Sequence, residues 1–172
     1  LDKLVTCTPE LFQQLSNDVE RAKRILRSQA FYDIDQLEWA TNCLHQTMAL
    51  ISLGYYPAQI CFPPIETDIV YKPFMSSEII ESLDDDQINI YRDVYDMLIR
   101  PVMEHDRPQM VGISVVQQKQ LIPTFTFCKM IKDTFPETHI TLGGNIITRI
   151  RDMLPGMENL WELFDSAIVY EG

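Results

Sequence analysis

The residues best equipped for chemistry stand in two places: Gln117, Gln118, Lys119 and Gln120 in VGISVVQQKQLIPTF, and Gly143 and Gly144 in HITLGGN. Side-chain amides donate and accept hydrogen bonds without bringing charge, so three of them together can grip a polar ligand at little desolvation cost. Paired glycines at the end of an apolar run remove the Cβ atoms that would hold a bulky ligand away from the backbone. Ser114, which closes the apolar run MVGIS, would bring a hydroxyl to the same place. Each has a plainer use, since a Gly-Gly pair makes a tight turn and a serine at a strand end bonds its own backbone. The combination carries more weight: both places follow runs that read as strands, and parallel sheets bind ligands outside the carboxyl ends of their strands.

Other chemistries lack their residues. Cys7, Cys43, Cys61 and Cys128 are scattered, with no CxxC or CxxxCxxC to gather thiolates on zinc or an iron-sulfur cluster. They read as reduced thiols of a cytoplasmic protein. His45, His105 and His139 have no Cys, His or carboxylate at ligand spacing on a common face and read as structural or solvated. The acidic run Asp84, Asp85 and Asp86 fits a solvated helix start, where carboxylates meet the positive end of the helix dipole, better than a metal site. No GxGxxG follows the first strand candidate, AQICF, which runs on as PPIETD, so dinucleotide and P-loop readings fall away. VGISVV has Val where a serine-hydrolase elbow needs its second Gly, and none of AQICF, MVGIS and ITLGG ends in a phosphoacceptor Asp. No catalytic residue and no metal ligand is assigned. A formal charge of −11, from 14 basic and 25 acidic residues, repels a phosphate backbone and excludes nucleic acid as a partner. The most apolar stretch, MALISLGYYPAQICF, is broken by Ser52, Gly54, Pro57 and Gln59, so no membrane span is expected.

The elements that must position these groups follow from periodicity. Residues 8–28 predict a helix, with Thr8 as N-cap, Pro9 at the first helical position and Leu11, Leu15, Ala22, Ile25 and Leu26 on one side. A second helix is expected from about Asp35 to Leu53, stopped by Gly54 and Pro57. AQICF, closed by Pro63 and Pro64, reads as a first buried strand. SSEIIESL predicts a short helix, and DDDQINIYRDVYDMLIRPVMEHD a longer one with Ile90, Val94, Leu98 and Val102 on its buried face and Pro101 bending or ending it. From residue 110 the pattern is strand MVGIS, helix LIPTFTFCKMIKDTF, strand HITLGG, helices NIITRIRDML and NLWELFD, and strand SAIVYEG. Strands alternating with helices imply right-handed crossovers and an α/β, doubly wound parallel sheet over 55–172, behind an N-terminal helical layer over 1–54.

Ser114, Val116 and the pair Gly143-Gly144, with residues 117–142 between, resemble the second and third parts of the cobalamin-binding motif, Ser-x-Leu followed by Gly-Gly. The run VGISVVQQKQLIPTFTFCKMIK…P..HITLGGN…R looks like the N-terminal domain of cobalamin-dependent radical S-adenosylmethionine enzymes, nearest to the peptide-modifying methyltransferase branch, and YEG resembles that branch's exit. The likeness is clear over 110–172 and looser over 55–109. It implies a Rossmann-like cobalamin-binding domain at 55–172, with a slot for the nucleotide tail. The cofactor-binding residues it implies are Ser114, Val115, Val116, Gln117, Gln118, Gln120, Leu121, Gly143, Gly144, Asn145, Glu171 and Gly172. The three glutamines would bond the corrin's propionamides, which suits a large, mostly apolar disc fringed with amides.

Two departures bear on mechanism. The motif's first part, Asp-x-His-x-x-Gly, which gives cobalt its lower imidazole, has no counterpart: ETDIVYKP offers Asp68 without the His or the Gly. The CxxxCxxC of the radical domain is also missing, so the expectation is a fragment, truncated before the downstream radical S-adenosylmethionine domain that would carry the iron-sulfur cluster and S-adenosylmethionine. The fragment would bind cofactor and not be catalytic alone. Two rivals stay open: a degenerate interface module that binds no corrinoid, and a flavodoxin-like binder of another nucleotide.

Overall fold

The computed structural model describes residues 9–61 and 66–170. It is a mixed α/β protein that divides into two compact units.

The first unit is built on α1 (Pro9–Leu26) and α2 (Ile34–Gly54), joined through a 3₁₀ turn at Gln29–Tyr32 that Ser28 caps by accepting from the Ala30 N–H. Ala22, Ile25, Ala40 and Leu44 form its core, and the small alanines let the two helices approach closely. Pro9 opens α1 as expected, while Thr8 lies outside the described residues. The expectation for AQICF is corrected here. Its strand, β1 (Gln59–Cys61), pairs antiparallel with β2 (Glu66–Asp68), and the hairpin belongs to the unit of α1 and α2. The Ile60 N–H donates to Ser52 Oγ at 2.8 Å, which fixes β1 on α2. A short apolar run closed by prolines fits a hairpin strand as well as a buried parallel one, and backbone pairing decides between them.

The second unit holds Tyr55–Ala58 and the chain from Ile69 onward. It begins with α3 (Ser76–Leu83), then a continuous helical stretch made of α4 (Ile90–Val94), a π-helical turn at Tyr95–Ile99 and α5 (Arg100–Asp106). Pro101 has no N–H to donate, and one residue earlier the Arg100 N–H reaches back five residues to the Tyr95 carbonyl. The wider turn rotates the buried face. Tyr95 and Met103 are buried, whereas Leu98 and Val102, expected inside, are 63% and 56% exposed.

β3 (Met110–Ser114), α6 (Leu121–Thr134), β4 (His139–Gly143) and β5 (Ser166–Ala167) complete the unit. The three strands are parallel and lie in chain order, with Met110 opposite His139, Ser114 opposite Gly143 and Thr141 opposite Ser166. The helix expected at NIITRIRDML is the short α7 (Asn145–Arg149), and NLWELF is a 3₁₀ turn, Glu158–Leu163. α6 and this 3₁₀ turn touch each other, with Phe125 and Phe164 rings 6.3 Å apart, so both crossovers cover the same sheet face. Ile140 and Leu142 are buried beneath them. On the other face Met110, Gly112 and Ser114 are exposed. The described strands form a one-way sheet, and the reversal of strand order that defines a doubly wound sheet is not among them.

Candidate functional site

The carboxyl ends of β3 and β4 are stitched together by Val115, which is fully buried. Its N–H donates to the Gly143 carbonyl at 2.8 Å and its carbonyl accepts from the Ile146 N–H at 3.0 Å. Ser114 and Gly143, Val115 and Gly144 are thereby brought side by side, as their distant positions in the sequence require. The chain turns into α7 at Gly144, where φ is 97° and ψ 176°, a conformation essentially reserved for glycine. A Cβ at Gly144 would stand 2.6 Å from the Val115 carbonyl oxygen, 2.8 Å from the Val115 nitrogen and 3.0 Å from Ser114 Oγ. The close approach that needs this glycine is therefore that of the chain to itself. Gly143 differs, since a Cβ there would meet Ile168 at an ordinary 3.8 Å.

Beside this turn lies a crevice of about 520 Å³ lined by Gly144, Asn145, Thr148 and Tyr170. Thr148 Oγ1 accepts from the Tyr170 N–H at 2.9 Å, which holds Tyr170 in a left-handed conformation at φ 66°. The Arg151 guanidinium sits over the Tyr170 ring, 5.1 Å from its centre, and donates to the Thr148 carbonyl at 3.3 Å.

The polar loop is a 3₁₀ turn, Gln118–Gln120, closed by its own side chains. Gln120 Oε1 accepts from the Val116 N–H at 2.7 Å and the Gln117 N–H at 2.9 Å, while the Gln117 side chain accepts from the Gln120 N–H. Two of the three amide oxygens expected to face a ligand are thus used to shape the loop, leaving their NH₂ groups and the exposed Gln118 to face outward. Val116 is 54% exposed beside them. Leu121, expected at the ligand, faces the core instead, where it begins α6 and is buried among the helix's other apolar residues. Glu171 and Gly172 lie outside the described residues.

The crevice thus contains Gly144 and Asn145 from the expected set, with Ser114, Val115 and Gly143 behind them. Thr148, Arg151 and Tyr170 were not legible as site residues. Their association is made by the pairing of β4 with β5, across a gap of 22 positions between Thr148 and Tyr170 that no local spacing announces.

The histidines are elsewhere. His139 opens β4 at the amino end of the sheet, its Nε2 2.9 Å from Ser166 Oγ, and His105 precedes β3 on an exposed turn of α5. His139 is the first of the five residues of β4, so roughly 13 Å of rise separates it from the carboxyl edge. Among the described residues no group of three His, Cys, Asp or Glu side chains is arranged to hold a metal ion, and no helix is long and apolar enough to cross a membrane. Asp68 lies on β2, in the other unit. No family model, curated protein or solved structure matches this chain.

Proposed function

We propose that the second unit binds cobalamin at the carboxyl edge of β3 and β4, as the cobalamin-binding part of a radical S-adenosylmethionine methyltransferase, on a Rossmann-like, doubly wound fold to which the three described strands would contribute one half. The observation that carries this reading is the crevice beside Gly144. Its volume of about 520 Å³ falls within the roughly 300–1,000 Å³ of small-molecule sites. Its lining combines an aromatic ring with amide and hydroxyl groups. That chemistry fits a planar, hydrogen-bonding base such as the nucleotide tail of cobalamin. The exposed Val116, the NH₂ groups of Gln117 and Gln120 and the amide of Gln118 stand at the same edge and fit an apolar macrocycle rimmed with amides.

When bound, cobalamin would supply a cobalt centre able to carry a methyl group. The chain's own part is to hold and shield it. Asn145, Thr148 and Tyr170 would seat the tail, and the Gln117–Gln120 turn, rigid because its amides close on its backbone, would meet the corrin edge. The downstream radical domain, with its iron-sulfur cluster and S-adenosylmethionine, would be the partner that uses the cofactor, in the cytoplasm.

A second reading, an interface module of the same fold without corrinoid, is favoured by one observation: Gly144 is already explained by the backbone of Val115. Gel filtration of the purified chain with hydroxocobalamin separates the two. Corrinoid absorbance that travels with the protein is expected, and a colourless protein peak would overturn the cobalamin reading and favour the interface module.

A further inference from the structure

We infer that Arg151 is the phosphate-reading residue of the crevice: its guanidinium binds the phosphodiester of the cobalamin nucleotide loop, so this chain discriminates complete cobalamin from corrinoids that lack the nucleotide. The inference rests on the cobalamin reading above and assigns a specificity within it. The four lining residues, Gly144, Asn145, Thr148 and Tyr170, carry no charge. Arg151 touches two of them, with its guanidinium over the Tyr170 ring at 5.1 Å and its η1 nitrogen donating to the Thr148 carbonyl at 3.3 Å. Among the described residues its ionic partner is the neighbouring Asp152, at 3.5 Å, whose side chain is 84% exposed. A pair so exposed contributes little and is readily exchanged for a better anion. The Arg151 side chain is itself only 41% exposed, because its stem and one face are packed on the crevice wall, which restricts where the fork can point.

The charge of the whole chain makes this cation matter. At −11 the protein repels anions at long range, so an anionic ligand group needs a local guanidinium. Apart from the metal, the phosphodiester is the ionised group of cobalamin, and a guanidinium is the side chain best shaped to hold two phosphate oxygens at once. With Nη1 on the Thr148 carbonyl, Nε on the exposed Asp152 and its plane over Tyr170, the guanidinium offers Nη2, and Nε once Asp152 is exchanged, to the phosphate oxygens.

Binding of hydroxocobalamin and of diaquocobinamide, which lacks the phosphate, ribose and base, is measured by absorbance titration on wild-type protein, Arg151→Ala and Arg149→Ala. The expected result is about tenfold weaker cobalamin binding by Arg151→Ala, an unchanged cobinamide affinity, and little change in either for Arg149→Ala. Equal losses for cobalamin and cobinamide would make Arg151 merely structural and overturn the inference. So would an equal loss in Arg149→Ala, which would reduce the effect to general charge. Wild-type protein that binds neither corrinoid would overturn the cobalamin reading itself, and the inference with it.

Discussion

Replacing Gly144 with alanine tests the geometry of the strand ends most severely. The new Cβ would lie 2.6 Å from the Val115 carbonyl oxygen and 2.8 Å from its nitrogen, and these are rigid backbone atoms. The residue would also have to hold φ 97° and ψ 176°, a conformation that costs a non-glycine residue about 1–3 kcal/mol. The atoms it strikes make two hydrogen bonds that tie the residue after β3 to the end of β4 and to α7, at 2.8 and 3.0 Å, each contributing about 0.5–1.5 kcal/mol. Relief of the clash by displacing Val115 would sacrifice both, so Gly144→Ala should cost about 2–6 kcal/mol. That is a large share of the roughly 5–15 kcal/mol that holds a domain folded. Gly143→Ala meets only an ordinary contact at 3.8 Å and should change stability by about 0.5 kcal/mol or less. Urea unfolding followed by Trp161 fluorescence in a Trp39→Phe background reports on the second unit, because Trp161 is stacked on Phe164 within it. Equal midpoints for Gly144→Ala and wild type would refute the backbone explanation of Gly144.

Three further outcomes are expected. Asn89, 1% exposed, donates from Nδ2 to the Ser82 carbonyl at 2.8 Å and to Thr126 Oγ1 at 2.9 Å, so Asn89→Ala should lower the stability of the second unit by about 1–3 kcal/mol in urea unfolding. Burial pushes the Cys128 thiol up to about 12, against about 8.5 in an unfolded chain. The folded state therefore holds its proton while the unfolded state loses it, so the stability Cys128 contributes is intact below about pH 8.5 and declines as pH rises from there towards 12. A Cys128→Ala variant should show a flatter loss of stability across that window. In the cobalt(II) form of the bound cofactor, electron paramagnetic resonance should lack the triplet splitting of an axial nitrogen, because His139 and His105 are at the amino end of the sheet and the tail base would occupy the crevice.

Much of this architecture was legible because it is local. The helices α1, α2 and α6 declare themselves by periodicity, and β3 and β4 by apolar runs bounded by polar loops. The face of the helical stretch 90–106 differs from the expected one because the π turn that opens at the buried Tyr95 widens the helix, turning Leu98 outward within it and placing Met103 rather than Val102 on the buried side beyond it. Asp84, Asp85 and Asp86 do not start a helix as expected: Asp84 caps the carboxyl end of α3 and the three lie in the turn before α4, whose cap is Asn89, with its side chain accepting from the Tyr91 N–H at 3.2 Å. The acids serve other groups: Asp85 accepts from the Tyr71 hydroxyl, Asp86 pairs with Arg92, and Asp84 faces Lys129. At the strand ends, sequence could single out Ser114, Gly143 and Gly144 by type. It could not show that Val115 takes up the space Gly144 provides, nor that Tyr170 folds back onto Thr148. Those contacts depend on strand register, which is decided by pairing between segments far apart in the chain.

The most direct measurement for the proposed site is a hydroxocobalamin titration of wild-type protein beside Asn145→Trp, read by calorimetry. Asn145 is exposed and lines the crevice, so an indole there would fill the space without entering the core. The wild type should bind saturably and Asn145→Trp at least about tenfold more weakly, a difference of about 1.4 kcal/mol. Identical isotherms for the two proteins, or none for the wild type, would contradict a cobalamin site in the crevice beside Gly144.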